Sequence, residues 1–123
     1  MILEQIYLGC LSQASYLVGD ENAGVAAVVD PRRDVDEYLA IAERRGLKIQ
    51  AIVLTHFHAD FVSGHLELQR HTQAPIYLGQ AAQPEYEFVG ATEDTMLELG
   101  DVRLRFLETP GHTPESICVL VVD

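Results

Sequence analysis

The chain has 123 residues, 48% hydrophobic and 22% charged, a composition that fits one globular domain or part of one and excludes a disordered segment. Nineteen acidic residues against eight basic ones give a formal net charge of −11, a surface that repels a phosphate backbone and gains nothing from anionic lipid, so neither nucleic acid nor membrane is expected as a partner. No apolar stretch reaches the roughly eighteen residues that span a bilayer, and the first residues lack the basic start of a signal peptide. The two cysteines, Cys10 and Cys118, form no CxxC pair, so a reducing, cytoplasmic setting is expected.

Residues 1–8 are mostly apolar and read as a first strand, and residues 15–19 as a second, with a turn at Asp20-Glu21-Asn22. Residues 24–30 are a short, continuous apolar run rich in branched side chains and ending at Asp30-Pro31, the pattern of a buried strand. A helix is expected from about Asp34, which is placed to cap it, with Tyr38, Leu39, Ile41 and Ala42 as its apolar stripe. Arg44, Arg45 and Gly46 supply the basic last turn and the terminal glycine. Residues 49–55 form the next strand, residues 62–71 a helix weakened at its start by Gly64, and residues 75–78 a short strand. Residues 79–95 are polar and acidic with little period, and read as loop with room for a short helix. The alternating runs 95–99 and 102–106, separated by Gly100-Asp101, predict a hairpin with one wet face. A loop at residues 109–114 leads into a last buried strand over residues 117–122.

Strands, helix, strand, helix and then mainly strands predict an α/β sandwich. The sequence stops at the end of an apolar strand with nothing to cover it, so residues 1–123 are expected to be the N-terminal part of a domain.

The chemistry lies in the histidines. His56, His58 and Asp60 stand two apart directly after a strand. Side chains at that spacing share one side of an extended segment, and imidazole and carboxylate are ordinary ligands of zinc, iron or manganese. His112 stands in a second loop between strands, and two such loops at one edge of a layer can meet. Asp60 has a second role open to it, as cap of the following helix. His65 is placed to face either the loop or solvent, and His71 reads as a surface residue. Cys10 and Cys118 read as small buried hydrophobes. No GxGxxG, GxxxxGK or GxSxG segment occurs, so dinucleotide, P-loop and nucleophile-elbow chemistry have no support.

The segment Thr55-His56-Phe57-His58-Ala59-Asp60-Phe61-Val62-Ser63-Gly64-His65 resembles the metal-binding signature of the metallo-β-lactamase superfamily, and Thr109-Pro110-Gly111-His112-Thr113-Pro114-Glu115-Ser116 its second metal loop. Asp30-Pro31 after a strand also fits. The HADF form of the first loop is similar to that of the persulfide dioxygenases, relatives of glyoxalase II, especially members that carry rhodanese domains.

The resemblance implies an αββα sandwich, here its N-terminal half, with the metal at one edge between the sheets. It implies His56 and His112 as metal ligands, and His58 as a third ligand or a close neighbour. Asp60 and His58 would be groups that hydrogen-bond the reacting molecules or a ligand imidazole. Two-metal relatives carry a histidine ligand where this chain has Phe61, which cannot coordinate, so a mononuclear centre is implied: Fe(II), with zinc as the alternative. The implied reaction is oxidation of a small thiol persulfide by O2 to sulfite and thiol. The family's further aspartate ligand lies downstream, and Asp123 comes too early to be that residue. A downstream half-domain is therefore the expected partner, with self-association into a homo-oligomer also open, and residues 1–123 alone are expected to be inactive. The alternatives are a glyoxalase II-like thioester hydrolase and a non-catalytic half-domain that associates with a partner chain.

Overall fold

A computed structural model describes residues 1–9, 13–57, 64–82 and 84–123. Six strands, β1 (Ile2–Leu8), β2 (Gln13–Asp20), β3 (Val25–Val29), β4 (Lys48–Val53), β5 (Ile76–Gly79) and β6 (Val89–Ala91), form one sheet in that spatial order. The β1–β2 and β2–β3 pairs are antiparallel, and β3 through β6 run parallel. Helix α1 (Asp36–Arg45) joins β3 to β4, and α2 (His65–Thr72) precedes β5. A second, antiparallel sheet holds β7 (Met96–Leu99), β8 (Val102–Glu108) and β9 (Ile117–Val122).

The central strands of the first sheet are buried on both faces. Leu17, Val28, Ile52 and Leu78 point to the helices, where they meet Tyr38, Ile41 and Leu68. Their strand neighbours Val18, Ala27, Val29 and Val53 point the other way, against Leu99, Leu104 and Phe106 of the second sheet. A strand covered on both sides has no polar face to show, which is why residues 25–29 read as an unbroken apolar run. The layers are thus α, β and β, the part of the αββα sandwich expected of its N-terminal half.

Helix α1 carries Asp36 and Glu37 in its first turn and Arg44 and Arg45 in its last, and ends on Gly46 in the left-handed conformation, as its sequence predicts. Its cap position is Val35, with no side-chain cap, so Asp34 does not fill the expected role. In α2 the cap position is Gly64, four residues beyond Asp60. Strand β2 begins two residues earlier than expected, because Gln13 pairs with Leu8.

Two further expectations are corrected. Residues 79–95 contain a strand, β6, whose three residues pair in parallel with Tyr77, Leu78 and Gly79. Strand β9 is buried on one face only: Ile117 is buried, while Cys118, Leu120 and Val122 are exposed beside Leu107. Cys118 is therefore not the buried hydrophobe expected of it; its Sγ lies 3.5 Å from the Thr109 hydroxyl. Cys10 lies outside the described residues.

Candidate metal site

The parallel strands place the ends of β3 and β4 side by side, and ligand sites in such sheets form beyond the carboxyl ends of the strands. Asp30 follows β3 in a left-handed conformation (φ 52°), which aspartate tolerates better than most residues. Its carboxylate accepts the Thr55 backbone N–H at 2.8 Å and the Thr55 hydroxyl at 2.6 Å. The Thr55 oxygen lies 2.9 Å from Nδ1 of His56. A hydroxyl has one proton, and here the carboxylate takes it. The Thr55 oxygen then accepts from Nδ1–H, which leaves Nε2 as the nitrogen that bears the lone pair.

The turn that carries Asp30 is braced from several sides. Gln13 Nε2 donates to the Asp30 carbonyl at 2.9 Å. The buried Tyr38 hydroxyl accepts the Arg32 N–H at 2.8 Å and lies 2.6 Å from the Ser15 hydroxyl. The N–H of Gly64 donates to the Pro31 carbonyl at 2.9 Å. A Cβ on Gly64 would sit 1.9 Å from the Arg32 carbonyl oxygen, so only glycine lets the start of α2 lie against this turn.

The second loop meets the first at His56. The His56 and His112 ring centres are 5.2 Å apart, with ring planes 80° from each other. Two imidazoles that share one ion at about 2.0–2.1 Å, in a tetrahedral arrangement, hold their centres about 5 Å apart. The observed spacing fits a common metal ion, and His112 is solvent-exposed, so the position is open to one. Among the described residues no group of three potential ligands converges. His58 and Asp60 lie outside the described residues, as does Phe61.

The other histidines are accounted for separately. The His65 ring, at the start of α2, packs against Tyr86 with centres 4.9 Å apart, and burial pushes the Tyr86 phenol up. His71 is exposed and lies 3.4 Å from Glu67 on the same helix.

Glu115, which sequence reasoning passed over, is buried beside this site. Its carboxylate accepts the Phe57 backbone N–H at 3.0 Å. Burial raises its pKa, but the Phe57 amide, its own amide, the Thr113 hydroxyl and nearby His56 outweigh burial and hold the carboxyl below the ordinary range. The available signal was a single acid three residues after His112, and that pattern is common in solvated loops.

The fold is an α/β sandwich of two sheets, and it brings the rings of His56 and His112 together. Residues 8–123 match the Metallo-beta-lactamase superfamily, and the chain belongs to it. A metallo-beta-lactamase from Staphylococcus aureus superposes with a TM-score of 0.92 at 36% identity, covering 99% of this chain and 38% of that one. ETHE1 from Myxococcus xanthus gives 0.90 at 30% identity, covering 98% of this chain and 54% of that one. A hydroxyacylglutathione hydrolase of Rhizobium etli is 36% identical over 87% of this chain and 42% of its own length. The chain thus spans less than two thirds of the length of these relatives. No helix among the described residues is long and apolar enough to cross a membrane.

Proposed function

We propose that the full-length protein is a mononuclear, iron-dependent enzyme of the cytoplasm that oxidises a small thiol persulfide with O2, water supplying the third oxygen, to sulfite and free thiol. The observation that carries the metal site is the approach of the His56 and His112 rings to 5.2 Å. The choice of chemistry is supported by the HADF form of the first loop, with Phe61 where two-metal relatives have a ligand, and by the likeness to ETHE1 across 98% of the chain.

His56 and His112 hold the metal, with His58 as third ligand or close neighbour. A bound iron supplies electrons and open coordination positions for oxygen chemistry. Thr55 and Asp30 keep His56 in the tautomer that presents Nε2. Asp60 or His58 hydrogen-bonds the reacting molecules, and Phe61 keeps that side dry. A downstream half-domain contributes the missing carboxylate and covers the outer face of the second sheet, where Leu107, Leu120 and Val122 are exposed. In this reading residues 1–123 alone have little activity.

The second reading, a thioester hydrolase with zinc as its metal, rests on the hydroxyacylglutathione hydrolases among the relatives. Metal analysis of the full-length protein, with oxygen uptake on glutathione persulfide, separates the two. One iron per chain with oxygen consumption is the expected result. Two zinc ions with glutathione-thioester cleavage and no oxygen uptake overturns it.

A further inference from the structure

We propose that Glu115 is a positioning residue: its carboxylate pins the Phe57 peptide, and so sets the first histidine loop at the distance from the second that a shared ion requires. The proposal rests on the metal-site reading above and adds to it a residue outside the ligand set.

The geometry is specific to the segment around His56. Strand β4 has ended at Val53, so no neighbouring strand takes the Phe57 N–H. Glu115 takes it, at 3.0 Å. The Ile117 N–H, two residues further on, donates to the Thr55 carbonyl at 2.8 Å. The residues on either side of His56 are therefore both tied to the segment 115–117.

Glu115 is anchored at its own end as well. Only 5% of its surface is exposed, a burial that acids seldom reach unless partnered. A Cβ on Gly79 would lie 2.1 Å from the Glu115 carbonyl oxygen, so the Glu115 backbone sits directly on the end of β5. Between His112 and Glu115 the chain is locked by the Ser116 N–H donating to the Thr113 carbonyl at 3.3 Å and by the paired hydroxyls of Thr113 and Ser116 at 2.6 Å. Fixing Glu115 on β5 thus fixes His112, and the carboxylate carries that position across to Phe57 and His56. Glutamine retains an acceptor oxygen at this place, and alanine has none.

The test compares wild type, Glu115→Ala and Glu115→Gln by hydrogen exchange of the Phe57 amide and by titration with Zn2+ alone. Glu115→Ala is expected to speed exchange at Phe57 by at least about tenfold and to weaken Zn2+ binding by about 10–100-fold, the usual effect of removing a group that orients a ligand. Glu115→Gln is expected to stay near wild type in both. Wild-type values in a folded Glu115→Ala overturn the proposal, and so does a Gln variant that loses as much as the Ala variant. If Glu115→Ala does not fold, Glu115→Gln decides: retention of both readouts supports the role, and loss of either overturns it. Should the wild-type protein take up no Zn2+, the metal-site reading fails. Exchange at Phe57 then still decides for or against the pinning of the loop.

Discussion

The Asp20 carboxylate, at the end of β2, accepts the backbone N–H of Asp101 in the β7–β8 turn at 2.9 Å. It is a tie between the two sheets, made by a side chain that is itself buried. The other carboxylate oxygen accepts the N–H groups of Asn22 and Ala23 in its own turn.

This tie predicts a pH dependence of stability. The Asp101 amide lowers the Asp20 pKa most; burial opposes it, and the Ala23 and Asn22 amides lower it further. A depressed carboxylate contributes stability that is fully present above its unfolded value, about 3.9, and is lost as the pH falls through the lower folded value. Thermal melts of wild type and Asp20→Asn should therefore differ most from about pH 5 upward. The gap should close below the ordinary carboxylate range. A gap as wide in strong acid as at neutrality would rule out this linkage.

Tyr38 braces the turn that carries Asp30, from a helix on one face of the sheet. Its hydroxyl serves both Arg32 N–H and Ser15, and its ring is fully buried. Tyr38→Phe leaves those partners without it and should cost about 1–3 kcal/mol, the price of a buried group left unsatisfied. Urea unfolding measures it, and a change below a few tenths of a kcal/mol would contradict the bracing role.

Gly64 meets the same turn from α2. Gly64→Ala forces a methyl group into the Arg32 carbonyl, a backbone atom that cannot swing away. The expected loss is about 1–3 kcal/mol, as for other overpacked positions. Unfolding curves for Gly64→Ala and for an exposed control such as Gln80→Ala should separate clearly; coincident midpoints would mean that the turn yields freely.

Much of this arrangement was legible in the sequence where one-dimensional pattern and burial coincide. Residues 25–29 and 51–54 lie between two buried faces, so their apolar runs announce strands. The two histidine loops were marked by motif, and the fold supplied what spacing alone lacks, the approach of His56 to His112. Strand β6 was not legible, because Val89, Gly90 and Ala91 are held by pairing with β5 rather than by any local period. The one-sided burial of β9 was masked by an apolar sequence on both of its faces. Glu115 was hidden for a different reason: its partner is a backbone N–H 58 residues away, and a backbone donor leaves no trace in composition.

Thr55 offers a test of the contact with His56 that leaves both imidazoles in place. Thr55→Val removes the hydroxyl that stands between Asp30 Oδ2 and His56 Nδ1 but keeps the shape of the side chain. Loss of a hydrogen bond to a charged group should cost about 1.5–3 kcal/mol of stability. With the tautomer no longer fixed, Zn2+ affinity should fall by about 10–100-fold. Thr55→Ser retains the hydroxyl and should recover most of both. If Thr55→Val binds Zn2+ as the wild type does, His56 needs no help in presenting Nε2.

The histidines themselves give the sharpest contrast. His56 and His112 meet across two loops, whereas His71 faces solvent beside Glu67. His112→Ala removes the proposed ligand from an exposed loop position where no core contact depends on it, so the protein should remain folded. Its Zn2+ affinity should fall by more than about 100-fold, beyond what loss of an orienting neighbour produces. His71→Ala should bind as the wild type does, with only the weak helix-surface pair to Glu67 lost. Equal binding by the two variants would mean that the rings of His56 and His112 approach each other for packing alone.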